Sequence, residues 1–161
     1  MIPILGIDPG LSGALALLDA DDYLGLTIID APTLKITTNG KKRRRLDLYF
    51  LAGWLDANAS AISHVFIEQV GAMPGQGVSS MFKFGEVFGA LQGLVAANMI
   101  PMTYVTPQRW KKHFGLTADK DAARLHASRL LPQFAHLWTR AKDDGRAEAT
   151  LIALYGAQTM S

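Results

Sequence analysis

The stretch Ile4-Leu5-Gly6-Ile7-Asp8-Pro9-Gly10 carries the reading of this chain. An apolar run that stops on an acid and meets Pro-Gly is a buried strand entering a turn. A carboxylate at the end of such a strand is costly to desolvate unless a cation or hydrogen bonds compensate. Downstream, residues 13–19 and 24–30 are two further strand candidates joined by the turn-like Asp21-Asp22, so the opening reads as an antiparallel meander. Residues 37–45 read as a polar, basic loop. Residues 46–58 place Leu48, Leu51, Ala52 and Leu55 on one helical face. Residues 65–70 form the next strand, with Glu68 inside apolar sequence, and 71–77 form a flexible loop. A long apolar helix is predicted over 78–99 and a short strand over 101–105. Thr106-Pro107 opens a short helix through His113. Thr117 is expected to cap a helix through Leu131, 132–142 is irregular, and 144–159 is a final helix with Ala147, Leu151 and Leu154 on one side. The expected architecture is α/β, a mixed five-stranded sheet with helices on both faces, in one domain spanning residues 1–161.

A chain of 161 residues buries roughly 70% of its unfolded surface, enough for a core without covalent staples. The absence of cysteine excludes disulfides, thiolate zinc sites and cysteine nucleophiles. There is no Gly-x-x-x-x-Gly-Lys-Ser/Thr phosphate loop. No basic leader opens the chain, and no apolar run reaches the ~18 residues of a membrane span, so the expectation is a cytoplasmic protein without a membrane partner. The net charge of +2 hides a strong local imbalance, the unbroken run Lys41, Lys42, Arg43, Arg44 and Arg45. Such a run suits a polyanionic partner, because phosphate contacts release counterions. A solvated loop is the plainer alternative.

The acids carry the chemistry. Glu68 sits in His64-Val65-Phe66-Ile67-Glu68-Gln69-Val70, and if the first and fourth strands are neighbours it meets Asp8 at one edge of the sheet. Asp144 and Glu148 lie four apart, on one face of the last helix. Four acids without a thiolate or a histidine cluster favour Mg²⁺ or Mn²⁺ over Zn²⁺. Two such ions about 4 Å apart can activate water and stabilise the leaving oxygen of a phosphodiester. Each acid also has a bland role. Asp8 could begin a turn, Glu68 could pair with a lysine, and Asp143 or Asp144 could cap the helix.

Several segments together resemble the RuvC family of Holliday-junction resolvases. Gly6-Ile7-Asp8-Pro9-Gly10-Leu11-Ser12-Gly13 is similar to that family's opening strand and turn, and Ile67-Glu68-Gln69-Val70 to its second acidic strand. Ser80-Met81-Phe82-Lys83-Phe84-Gly85, followed by Gly89, resembles its long helix. Thr106-Pro107-Gln108-Arg109-Trp110-Lys111 and Ala118-Asp119-Lys120 resemble the segments beyond its fifth strand, and Ala147-Glu148-Ala149-Thr150-Leu151-Ile152-Ala153 its last catalytic helix. The set occurs in the family's order and covers nearly the whole chain. It implies a ribonuclease H-like fold, a homodimer, and cleavage of four-way DNA junctions with Mg²⁺, two ions per site, for which Mn²⁺ substitutes. It implies metal ligands at Asp8, Glu68, Glu148 and Asp144, with Lys111 and Lys120 facing the scissile phosphate. Lys83, Arg109, Lys111 and Lys112 join the Lys41–Arg45 run as expected DNA contacts. A phage or prophage relative in a bacterial or phage-infected cell is the expected setting.

Three departures from the family pattern stand out. The family's two helix ligands lie three residues apart, but Gly145 stands three before Glu148, which leaves the fourth ligand open between Asp144 and Asp143. If the helix extends that far, Asp143 points about 100° away and serves as a cap or surface charge. Gly71-Ala72-Met73-Pro74-Gly75 stands where the family often has an aromatic wedge, and the basic run lies outside the pattern. Competing readings are a ribonuclease H-like nuclease acting on other branched DNA or RNA–DNA hybrids, a catalytically dead DNA-binding module, and an actin-like ATPase fragment. The ATPase reading rests on the likeness of residues 6–13 to that superfamily's phosphate loop, and such folds normally need two such domains. Finally, Gly85, Gly89 and Gly93 repeat every four residues along one helix face, which suits either a dimer interface or packing onto the chain's own sheet.

Overall fold

Strand β1 (Pro3–Asp8) is buried along nearly its whole length, and a strand with no wet face belongs in the middle of a sheet. In the computed structural model it takes that place. Residues 2–72, 74–117 and 119–160 are described, Lys120 by its backbone alone. Strand β2 (Ala14–Asp19) pairs antiparallel with β1 on one side, and β3 (Leu26–Asp30) pairs antiparallel with β2. On the other side of β1 lie two strands in parallel, which the chain reaches later. The segment between them and β3 corrects an expectation. Residues 37–45 are not a loop but most of a two-stranded ribbon of β4 (Thr33–Thr38) and β5 (Lys41–Leu46), separate from the main sheet. Its turn is Asn39-Gly40, with φ of 52° and 73°, and this left-handed pair matches the twist of a two-residue hairpin.

Helix α1 (Leu48–Asn58) comes next, its first turn capped by Asp47, which accepts from the Phe50 amide at 3.0 Å. Strand β6 (His64–Glu68) then pairs with β1 in parallel, and after α2 (Val78–Ala97) strand β7 (Met102–Val105) pairs with β6. The sheet order is therefore β3-β2-β1-β6-β7, the five-stranded mixed sheet expected from the sequence. Beyond α3 (Pro107–His113) the structure departs from expectation in two places. Helix α4 (Lys120–Leu130) is capped by Asp119, whose side chain reaches the Asp121 amide, and not by Thr117. The stretch expected to be irregular holds two 3₁₀ segments, Pro132–Trp138 and Ala141–Asp143.

Alternation along the strands divides the core. Leu5, Ile7, Leu15, Val65 and Ile67 face α1 and α2, while Ile4, Leu18, Phe66 and Val105 face α4 and α5 (Asp144–Met160). The last helix lies directly on β1. A Cβ at Gly6 would fall 2.1 Å from the Ala149 carbonyl oxygen and 2.4 Å from the Ala153 nitrogen, so only glycine allows this approach. Helix α2 turns Val87, Leu91 and Val95 inward. Gly85, Gly89 and Gly93 have nothing within 4 Å of a Cβ built on any of them, which overturns packing of that face onto its own sheet. Among the described residues no helix is long and apolar enough to cross a membrane.

Candidate active site

The β1–β6 register pairs Ile7 with Ile67, so Asp8 and Glu68, each the next residue, leave the same end of adjacent central strands. The first turn of α5 arrives at that end and brings Glu148. Asp8, Ser12, Asp144, Gly145 and Glu148 line a cleft of about 430 Å³. Gly145 makes the approach possible, since a Cβ there would lie 2.7 Å from the Ser12 carbonyl oxygen and 3.2 Å from an Asp8 carboxylate oxygen. Arg146 holds the helix start in place through a two-pronged pair with Asp30 on β3, at 2.7 and 2.6 Å.

The acids repel one another. Burial pushes the Asp8 carboxyl well above the usual carboxylate range, and the charges of Glu148 and Glu68 push it the same way, against a smaller opposing pull from Lys111. Burial also raises Glu68, while its hydrogen bond from Trp110 lowers it. That bond is short, Trp110 Nε1 donating to Glu68 Oε2 at 2.6 Å, and Trp110 is fully buried. Lys111 Nζ lies 3.5 Å from Glu148 Oε1 and 5.2 Å from the centre of the Trp110 ring.

Asp144 and Asp143 part company at the helix start. Asp144 lines the cleft, with one oxygen 2.6 Å from Arg124 Nε, a charged contact that is not a well-directed hydrogen bond. Arg124 also pairs with Asp121. Asp143 is not a surface charge. Its side chain is only 4% exposed and accepts from the Arg140 backbone amide and guanidinium in a capping box. The Arg140 guanidinium holds its pKa down at about 2.

The basic residues form two groups. Lys41, Lys42, Arg43, Arg44 and Arg45 are all exposed on β5, but two of them tie the ribbon to the body. Arg44 donates to the Leu11 carbonyl at 3.3 Å and to Ser12 Oγ at 3.0 Å, and Arg45 pairs with Glu86 of α2 at 3.2 Å. Lys83 joins Arg43, Arg44 and Arg45 around a neighbouring cavity. Arg109 lines a separate concavity with Phe66, Tyr104 and Tyr155 that shares no residue with the acid cleft, and Lys112 is exposed on α3. The Lys120 side chain and Met73, in the loop where a wedge was sought, lie outside the described residues. Trp110 and Arg124 hold two of the acids, and the sequence assigned neither a role. Trp110 stands within the Thr106-Pro107-Gln108-Arg109-Trp110-Lys111 motif, whereas Arg124 carries no local signal.

Among the described residues no three histidine, aspartate or glutamate side chains are gathered as a metal-ligand set. Instead Glu68 is turned to Trp110, Glu148 to Lys111 and Asp144 to Arg124. The donor chemistry nonetheless fits a hard divalent cation, because the set is all oxygen and two members are buried against mutual repulsion that such a charge would relieve.

An antiparallel meander continuing into two parallel strands, with the last helix laid across the first strand, is the ribonuclease H-like fold. Within that class the chain superposes on Thermus thermophilus RuvC in complex with a Holliday junction substrate, with TM-score 0.61 and 17% identity over 99% of this chain and 96% of that one. It also superposes on the yeast mitochondrial Holliday junction resolvase, TM-score 0.59, 12% identity, over 96% of this chain and 77% of that one. The fowlpox virus Holliday junction resolvase gives TM-score 0.51 and 14% identity over 98% and 99%. At such identities the likeness is one of fold. No protein-family model and no curated protein matches the sequence.

Proposed function

We propose that the chain is a structure-selective endodeoxyribonuclease that resolves four-way DNA junctions as a homodimer, one nuclease domain per subunit. The observation that carries this reading is the convergence of mutually repelling carboxylates from β1, β6 and α5 at one sheet edge, beside a lysine. Asp8, Glu68, Glu148 and Asp144 would hold divalent metal, Mg²⁺ or Mn²⁺, which supplies activation of water and stabilisation of the leaving oxygen. The chain's own groups do the rest. Trp110 fixes the orientation of Glu68, Lys111 offers a cation beside the cleft for a scissile phosphate, and Arg124 orients Asp144. The ribbon's cations would draw in the DNA backbone, and the likeness of fold to a resolvase solved with a Holliday junction supports a four-way junction as the substrate.

The test is incubation with four-way junction, duplex, flap and RNA–DNA hybrid substrates, with and without Mg²⁺. Paired symmetric cuts in the junction, only with metal, are expected. Equal cutting of hybrids would reassign the substrate, and cutting in chelator would end the metal reading.

A further inference from the structure

Beside the acid cleft lies a hollow of about 350 Å³ between the ribbon and α2. Its walls are aliphatic, from Ile36, Leu46, Leu48, Val87 and Ala90, and its mouth carries Arg43, Arg44, Arg45 and Lys83. Glu86 is the one acid among its lining residues, and Arg45 neutralises it. Arg43 and Lys83 make no ion pair among the described residues, so the mouth presents unspent positive charge to solvent. Leu11 lines both this hollow and the acid cleft, and Arg44 spans the boundary between them through its bonds to Leu11 and Ser12.

An apolar body that carries flanking anions complements such a site. The volume lies at the lower end of the roughly 300–1,000 Å³ range of small-molecule sites, the size class of one nucleoside and too small for a helix of a partner. A free anion would have no use for the aliphatic walls. Extruding a base from the stack costs a few kcal/mol and is cheapest where stacking is already interrupted, as at a strand crossover. We infer that the hollow is a base-binding subsite, which takes one nucleobase unstacked from the bound strand while Arg43, Arg44 and Lys83 hold its flanking phosphates and the adjoining phosphodiester is presented to the Asp8 cleft. The inference rests on the proposed action on junction DNA and adds a determinant of where the strand is cut.

The test places 2-aminopurine at each position around the crossover of a four-way junction and adds full-length protein in EDTA, so that binding proceeds without cleavage. No aromatic side chain lines the hollow, so a probe that leaves the stack for it escapes quenching. Wild-type protein should brighten one position several-fold, because an unstacked base escapes quenching by its neighbours. Ala90→Leu fills the hollow without touching a cation or adding a ring that could quench, and should abolish the brightening, with junction affinity by anisotropy reduced no more than about threefold. Ala90→Met, a more flexible filler that also adds no ring, gives the same test should Ala90→Leu fail to fold. Brightening that persists in both filled variants, or its absence at every position while wild type still binds the junction, overturns the subsite and leaves junction binding intact. Filled variants that change sedimentation with unaltered fluorescence overturn it in favour of an interface between copies. Failure of the wild type to bind DNA removes the junction reading, and the subsite with it.

Discussion

Asp8 and Glu68 are where a single atom decides most. Asp8→Asn or Glu68→Gln should abolish cleavage in Mg²⁺ and leave junction binding largely intact, measured by gel shift, because affinity comes from cations and not from these acids. The same substitution should change stability. An acid whose pKa is raised on folding holds its proton more tightly in the folded state, so its burial costs little below the ordinary carboxylate pKa. The cost grows as pH rises through that range and is complete above the raised value. Metal-free Asp8→Asn should therefore melt higher than wild type at neutral pH, with the difference vanishing in acid. Asp143 has the opposite sign. Its folded pKa, lowered to about 2, gives stability that is full above the ordinary carboxylate value and is lost as pH falls towards 2. Asp143→Asn should cost no more than about 1 kcal/mol of stability through the lost ion pair with Arg140 and leave cleavage nearly unchanged, whereas Asp144→Asn loses most activity. Gly145→Asp, which restores the family's three-residue spacing, should lower the melting temperature and add no activity, since its Cβ meets the Ser12 carbonyl and the Asp8 carboxylate. The acids were legible because each interrupts apolar sequence or repeats at helical spacing. Trp110 and Arg124 were not, because their partners are brought by the fold from distant positions.

At the level of elements the basic ribbon teaches most. Asn39-Gly40 is a strong hairpin signal, yet five consecutive cations obscured it, because charged residues with no apolar alternation read as loop. What the pattern could not show is that Arg44 and Arg45 tie the ribbon to the body, Arg45 through an ion pair with Glu86 and Arg44 through neutral acceptors that leave its charge in place. Replacing all five by glutamine should weaken junction binding and flatten its dependence on salt, with about one unit of slope lost for each phosphate contact removed. A slope equal to wild type would show a ribbon that does not touch DNA. Cleavage at saturating protein should fall less than affinity does.

Across the whole molecule the mixed five-stranded sheet and its antiparallel opening were legible in the sequence, whereas the neighbouring of β1 and β6 entered only as a condition and the place of β7 was not assigned. The assignment of helices to faces was not legible, because both faces are apolar. Helix α2 leaves Gly85, Gly89 and Gly93 without a packed neighbour, a surface that lets a second backbone approach. Gly89→Arg should therefore turn a sedimenting dimer into a monomer at micromolar concentration and lose paired cutting, while a wild-type monomer, free and junction-bound, would refute the dimer. The seating of α5 on Gly6 has a consequence during synthesis. Strand β1 leaves the ribosome before α5 and must wait for that helix to cover Gly6, and the cleft gains Glu148 only then. On the proposed function, a chain from which α5 has not yet emerged has no assembled cutting centre, so order of translation delays cutting until the helix is made.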